Sequence, residues 1–185
     1  MPSVFHLYLY VSQVFSLLFM IGSAMQLDMH DLKILEVLQT DGRISVSDLA
    51  RRINLSSTPC AQRLRKLEMR GFISGYKAIV DPNAVKLDLL VFIQVTLKET
   101  DENTLQSFNS AIGRVPNVLE CHMVGGDFDY LLKARVTGMN EYRKLLGGEI
   151  GSLPMVQGTH SYFVMEEVKD GTALPLKPVR VDGKK

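Results

Sequence analysis

The sequence predicts an α+β chain in two parts, an N-terminal winged helix-turn-helix domain and a C-terminal βαββαβ, ferredoxin-like domain. Three observations predict it. Between Leu27 and Gly71, three short stretches repeat apolar residues at helical spacing, and only Leu55-Ser56-Ser57 separates the last two. From Leu89 the pattern changes to runs rich in β-branched residues, with two helical stretches between them in the order β-α-β-β-α-β. Charge divides at the same place. Residues 26–86 hold 10 basic and 7 acidic side chains and residues 87–170 hold 7 and 12, although the whole 185-residue chain carries only +1. A segment suited to a polyanion is followed by one that is not.

The first 25 residues contain no Asp, Glu, Lys or Arg, an uncharged run of about 20 residues that is long enough to span a bilayer. There is no basic segment of the kind that opens a signal peptide. Two readings remain: a non-native extension ahead of a start at Met25, which is preferred, or a membrane anchor. The expected organisation is this extension over 1–25, a DNA-binding domain over 26–81, a linker over 82–88, a second domain over 89–170 and a basic tail over 171–185.

The first helix is expected over Leu27–Gln39, capped by Asp28, with Ile34, Leu35 and Leu38 on its buried face and Asp41-Gly42 as its stop. Ser45 and Asp48 have capping-box spacing at the start of the second helix, flanked by Ile44 and Leu49 where a hydrophobic staple would sit. Asn54 can take the left-handed position that ends it. The third helix reads S-S-T-P-C-A-Q-R-L-R-K-L-E-M-R-G. Cys60, Leu64 and Leu67 share one face, and Thr58, Gln62, Arg65, Lys66 and Met69 the other. Hydroxyl, amide and guanidinium groups on an exposed helix face are the equipment for reading base edges in a DNA major groove. A solvated amphipathic helix is the alternative, but the tight turn before it favours a recognition helix. Ile73, Tyr76, Ile79 and Val80, closed by Asp81-Pro82, read as the ribbon of a wing, from which Lys77 either touches a phosphate or is simply solvated.

In the second part, strands are expected over Leu89–Lys98, Val115–Val124, Tyr130–Val136 and Val156–Val168, with helices over 101–112 and Met139–Ile150. Such a sheet carries helices on one face only, and apolar residues on both sides of its strands predict packing against a second copy. The turn Gly125-Gly126-Asp127-Phe128-Asp129 is the one candidate small-molecule site. Its glycines leave backbone amides approachable and its carboxylates can receive an ammonium, which together suit an amino acid; a glycine turn capped by aspartates is the plainer reading.

Catalytic and metal chemistry lack a constellation. Cys60 and Cys121 are expected as buried free thiols, and Cys121 and His122, adjacent on a strand, point to opposite faces. The chain has no GxGxxG, no phosphate-binding loop and no second Cys/His pair at ligand spacing, so neither enzyme, cofactor nor metal is expected. A metabolic or amino-acid-sensing protein that uses the three-helix unit only as a scaffold is the alternative from another class.

Several blocks in order, L-Q-T-D-G-R-I-S, L-S-S-T-P-C-A-Q-R-L-R-K-L-E, E-C-H-M-V-G-G-D-F-D-Y-L-L-K and V-M-E-E-V-K among them, resemble the feast/famine regulators of the Lrp/AsnC family between about Leu27 and Lys169. The resemblance implies the fold already expected, with a second domain of the Lrp-type (RAM) kind. It also implies a homodimer assembling to octamers or similar rings on double-stranded DNA, in the cytoplasm with the nucleoid. It places DNA reading on Ser57, Thr58, Pro59, Gln62, Arg63, Arg65 and Lys66. It places an amino-acid effector, leucine or another, between subunits against Gly125, Gly126, Asp127, Phe128 and Asp129, lined also by Met123, Met139, Tyr162 and Val164. The chain departs from the family at Gly125, where serine is common, at Ser57, where proline is frequent, and in the tail T-A-L-P-L-K-P.

Overall fold

The computed structural model describes residues 27–171 and 173–177; the expectations for residues 1–25 and for the end of the tail lie outside them. The described residues divide into two compact units, one made of residues 27–77 together with Gly171 and 173–177, the other of Ala78–Asp170. Residues 82–88 fall in the second unit, and Gly171 and residues 173–177 in the first.

The first unit contains α1 (Met29–Thr40), α2 (Val46–Arg52) and α3 (Ser57–Met69). A complete capping box starts α1. The Asp28 carboxylate accepts from the amides of His30 and Asp31, and the Asp31 carboxylate accepts from the Asp28 amide. At α2 the box is only half made. Ser45 Oγ accepts from the Asp48 amide, but the short Asp48 side chain bonds the hydroxyl instead of reaching the Ser45 backbone.

Asn54 sits at φ 57°, the left-handed conformation expected of it. The amide of Asn54 then bonds the Arg51 carbonyl and that of Leu55 the Ala50 carbonyl, closing a Schellman motif. Gly71, at φ 74°, ends α3 in the same way through Gly71 to Glu68 and Phe72 to Leu67. Ile34, Leu49, Ala50, Ile53, Cys60 and Leu67 form the core, with Ile44 and Leu64 packed against it.

The wing differs from expectation. Residues 74–81 form no strand. A ribbon needs a partner, and among the described residues these make no backbone hydrogen bond. Tyr76 folds onto the helices instead: its ring occupies the space beside Gly42, and its hydroxyl donates to Glu68 at 2.9 Å. Burial and this carboxylate push the Tyr76 phenol up to about 12. Ile79 is left 94% exposed.

The second unit contains β1 (Leu89–Leu97), α4 (Glu102–Ile112), β2 (Val118–Met123), β3 (Tyr130–Val136), α5 (Met139–Lys144) and β4 (Val156–Phe163). The sheet order is β2-β3-β1-β4 with every pairing antiparallel, which is the split unit expected. Val91, Ile93 and Val95 of β1 and Tyr130, Leu132 and Ala134 of β3 face Phe108 and Ile112 of α4 and Tyr142 and Leu145 of the second helix.

Two elements depart from their expected extents. Beyond Lys144 the second helix continues as a π-helical stretch, Leu145–Ile150. The last strand stops at Phe163 because β1, its only neighbour among the described residues, begins at Leu89, and the Val164 amide makes the final bond, to the Leu90 carbonyl. Cys121 also departs from expectation: it is exposed, since β2 is an edge strand with no neighbour on its outer side among the described residues.

Candidate functional site

Two places carry the candidate functional residues, one in each unit. In the first unit α3 is held by Cys60 and Leu67, which are buried against α1 and α2. Helical geometry then turns the opposite face outward. Ser57, Thr58, Gln62, Arg65 and Lys66 are all exposed, and Pro59 is half-buried in the first turn. Arg65 and Lys66 make no ion pair among the described residues, so both charges are available to an anionic partner.

Arg63 stands apart from this group. It is half-buried, and its Nη1 contacts Asp31 Oδ1 at 2.8 Å and the Asp28 carboxylate as well. The two hydrogen bonds hold the guanidinium more firmly protonated than usual. Spacing along the helix could not separate Arg63 from its neighbours, because its partners lie more than thirty positions earlier.

In the second unit the turn after β2 is built by Asp129. Its amide donates to the Val95 carbonyl, its carbonyl accepts from the Val124 amide, and its Oδ2 accepts from the Leu97 amide at 2.7 Å. Asp129 therefore brackets the turn to the end of β1. One of its carboxylate oxygens is committed to the backbone. Asp127 is exposed, and its side chain makes no hydrogen bond among the described residues.

Neither Gly125 nor Gly126 has a positive φ, and a Cβ at either would meet nothing within 4 Å. The turn itself does not require glycine there; the missing side chains keep the backbone approachable. The amides of Gly125, Gly126, Asp127 and Phe128 have no backbone hydrogen-bond partner among the described residues, so they remain free to donate.

The remaining candidates do not converge on this turn within one chain. Met123 pairs with Tyr130 beside it, on the helix-covered side of edge strand β2. Tyr162 pairs with Phe92 on the uncovered side of the opposite edge strand, β4. Three strand spacings separate these edges, about 14 Å. Met139 follows the far end of β3, about 20 Å from the turn at the rise of a strand. Val164 bonds Leu90 at that same far end. One pocket containing all of them needs the turn of one copy set against the far end of another.

Among the described residues no group of three or more His, Cys, Asp or Glu is placed to hold a metal ion. None of their helices is long and apolar enough to cross a membrane.

Comparison with known proteins agrees with both halves of this picture. Residues 27–74 match the winged helix-turn-helix DNA-binding family and residues 90–174 the Lrp/AsnC ligand binding domain. The leucine-responsive regulatory protein of Klebsiella pneumoniae is 49% identical over 151 residues, covering 82% of this chain and 92% of that protein. That of Escherichia coli K12 is 48% identical over the same length. Among solved structures, a transcriptional regulator from Neisseria meningitidis in complex with L-methionine superposes with a TM-score of 0.79 at 37% identity, covering 81% of this chain and 97% of that one. An AsnC family regulator from Agrobacterium tumefaciens gives 0.77 at 34% identity, with 80% and 97% covered. The outward polar face of α3, the split sheet beyond it and these matches to both parts place the chain in the Lrp/AsnC family of DNA-binding transcriptional regulators.

Proposed function

We propose that this protein is a homo-oligomeric transcriptional regulator of the cytoplasm and nucleoid, not an enzyme, whose grip on double-stranded DNA is tuned by a small amino acid. The exposed polar face of α3 carries the proposal. Thr58, Gln62 and Arg65 discriminate base edges, and Arg65 and Lys66 add a salt-dependent attraction to phosphates.

The effector is an amino acid, leucine, methionine or another, held between subunits. Its carboxylate lies on the free amides of Gly125–Phe128, its ammonium near Asp127 and the remaining oxygen of Asp129, and its side chain against Met123 of one copy and Met139, Tyr162 and Val164 of another. Support comes from the divided positions of these residues and from the L-methionine bound by the meningococcal relative. An amino acid acts here by binding one assembly or conformation better than another, since affinity alone shifts no equilibrium.

The test uses the full chain. Duplexes are enriched from a random-sequence pool, and binding and oligomer mass are then followed together while the amino acids are added one at a time. The expected result is a duplex bound at least about tenfold tighter than its scrambled counterpart, a modest threshold beside the ~10³–10⁷ typical of specific binders, with one or a few amino acids shifting both affinity and mass. Arg65→Ala should weaken binding by roughly 1–3 kcal/mol. Equal affinity for enriched and scrambled duplexes at physiological salt would overturn the proposal.

A further inference from the structure

We infer that Arg63, although it lies on the recognition helix, does not read DNA but is a positioning residue that bolts α3 to the capping box of α1. This rests on the DNA-binding reading above and divides the basic residues of α3 into two kinds.

The four carboxylate oxygens of Asp28 and Asp31 are all engaged. Asp28 Oδ1 accepts from the amides of His30 and Asp31, at 2.8 and 2.9 Å, and Asp31 Oδ2 accepts from the Asp28 amide at 3.2 Å. The two oxygens left over, Asp28 Oδ2 and Asp31 Oδ1, both meet Nη1 of Arg63. One guanidinium nitrogen thus closes a network that already fixes where α1 begins, and it does so from the middle of α3. Leu27 and Leu67 lie in the same cleft, so the polar tie sits on an apolar seat.

The charge balance decides where this guanidinium belongs. A single cation faces two carboxylates, and the Asp31 side chain is only 17% exposed. Moving Arg63 outward to a phosphate would leave two like charges side by side in a half-buried cleft. Those bare carboxylates would also stand beside Gln62 and Lys66 and repel the same phosphates. Arg65 and Lys66, with no acidic partner, lose nothing by meeting DNA. A helix held from its middle keeps one angle to α1, and that angle sets which side chains reach base edges.

Affinity alone would not distinguish positioning from direct binding, because the other nitrogens of Arg63 carry no protein partner among the described residues. The salt dependence does, since removing one cation that neutralises a phosphate lowers the slope of log Kobs against log[salt] by about 1. The experiment measures that slope for the full chain on the duplex enriched by the wild type. The variants are Arg63→Gln, Arg63→Lys, Asp31→Asn, the double Arg63→Gln/Asp31→Asn, and Lys66→Gln as a phosphate-binding control, with a thermal melt of each.

If the released helix is competent about a tenth of the time, Arg63→Gln should lower apparent affinity about tenfold while keeping the wild-type slope. Asp31→Asn should also weaken binding, although it removes a negative charge from a DNA-facing unit. The double variant should be no worse than the worse single, and Arg63→Lys should recover most of the loss. A slope reduced by about one in Arg63→Gln, with Asp31→Asn binding as well as or better than wild type, would make Arg63 a phosphate ligand and overturn the inference. Should Arg63→Gln melt with the wild type yet bind unchanged, the inference fails as well. Should Arg63→Gln not fold, the sign of the Asp31→Asn effect and the Arg63→Lys slope decide. If the wild type does not distinguish enriched from scrambled DNA, it is the DNA-binding reading that has failed.

Discussion

Asp129 shows how a residue chosen for one chemistry can be half spent on another. Its sequence context, an acid in a glycine turn, suggests an ammonium ligand, and the fold uses Oδ2 to satisfy the Leu97 amide at the buried end of β1. Two substitutions separate the roles. Asp129→Ala leaves that amide without an acceptor and should cost about 1–3 kcal/mol of stability, read as a lowered thermal midpoint. Asp129→Asn keeps an oxygen for Leu97 and should melt close to the wild type, while weakening amino-acid binding in a calorimetric titration. If the two variants melt alike, the bracket contributes nothing. Arg63 is the same kind of case in the other unit: residue type and helix position were readable, but its partners were not, because the pairing depends on how α1 and α3 meet.

The helix ends are the most legible elements because each is specified within a few residues. Asp28, Ser45, Asn54 and Gly71 take the cap positions their chemistry favours, and Asn54 even adopts the positive φ expected of it. The Asp28 cap carries a pH dependence. Burial pushes its carboxyl up, but the Asp31 and His30 amides and the Arg63 guanidinium outweigh it and hold the group below the usual range. A lowered folded pKa adds stability above the unfolded value, near 3.9, that is lost as pH falls through the folded one. Asp28→Asn should therefore flatten the acid limb of a plot of urea midpoint against pH below about pH 4. An acid limb identical to the wild type would show that folding does not lower the Asp28 pKa. Elements that need a partner were harder to read. Residues 74–81 have strand-forming composition but no ladder, and the last strand runs out where β1 does, since pairing is a property of two segments.

At the scale of the whole molecule, the uncovered face of the sheet and the tail make the connections. Phe92, Leu131 and Tyr162 lie on the face opposite the helices, with the Tyr162 ring 4.8 Å from that of His160. Gln94, Lys133 and His160 share this face, so it is mixed in character, with large apolar side chains among polar ones, as at many interfaces between copies. Phe92→Glu places a charge in the middle of that face and should reduce the proposed assembly to monomers in sedimentation or mass photometry; an oligomer of unchanged mass would assign the interface elsewhere. The tail returns to the first unit, where the Gln39 carboxamide pairs both ways with the Leu174 backbone, at 2.6 and 3.2 Å. Sequence composition could describe that tail as basic but could not say where it goes, because two hydrogen bonds made across 135 positions leave no local signature.

What the sequence determined by itself is whatever local forces specify: the helix ends, the amphipathic faces, the order of strands and helices, and through these the fold and the outward face of α3. Periodicity and capping are settled within a turn or two of chain, so they can be read in one dimension. Only the tertiary structure decided that Arg63 faces two aspartates, that Asp129 is tied to β1, and that Met123 and Tyr162 lie on opposite edges of one sheet. Each depends on segments remote in sequence being brought to within a few ångströms, and both the energy of an ion pair and the composition of a pocket depend on that distance.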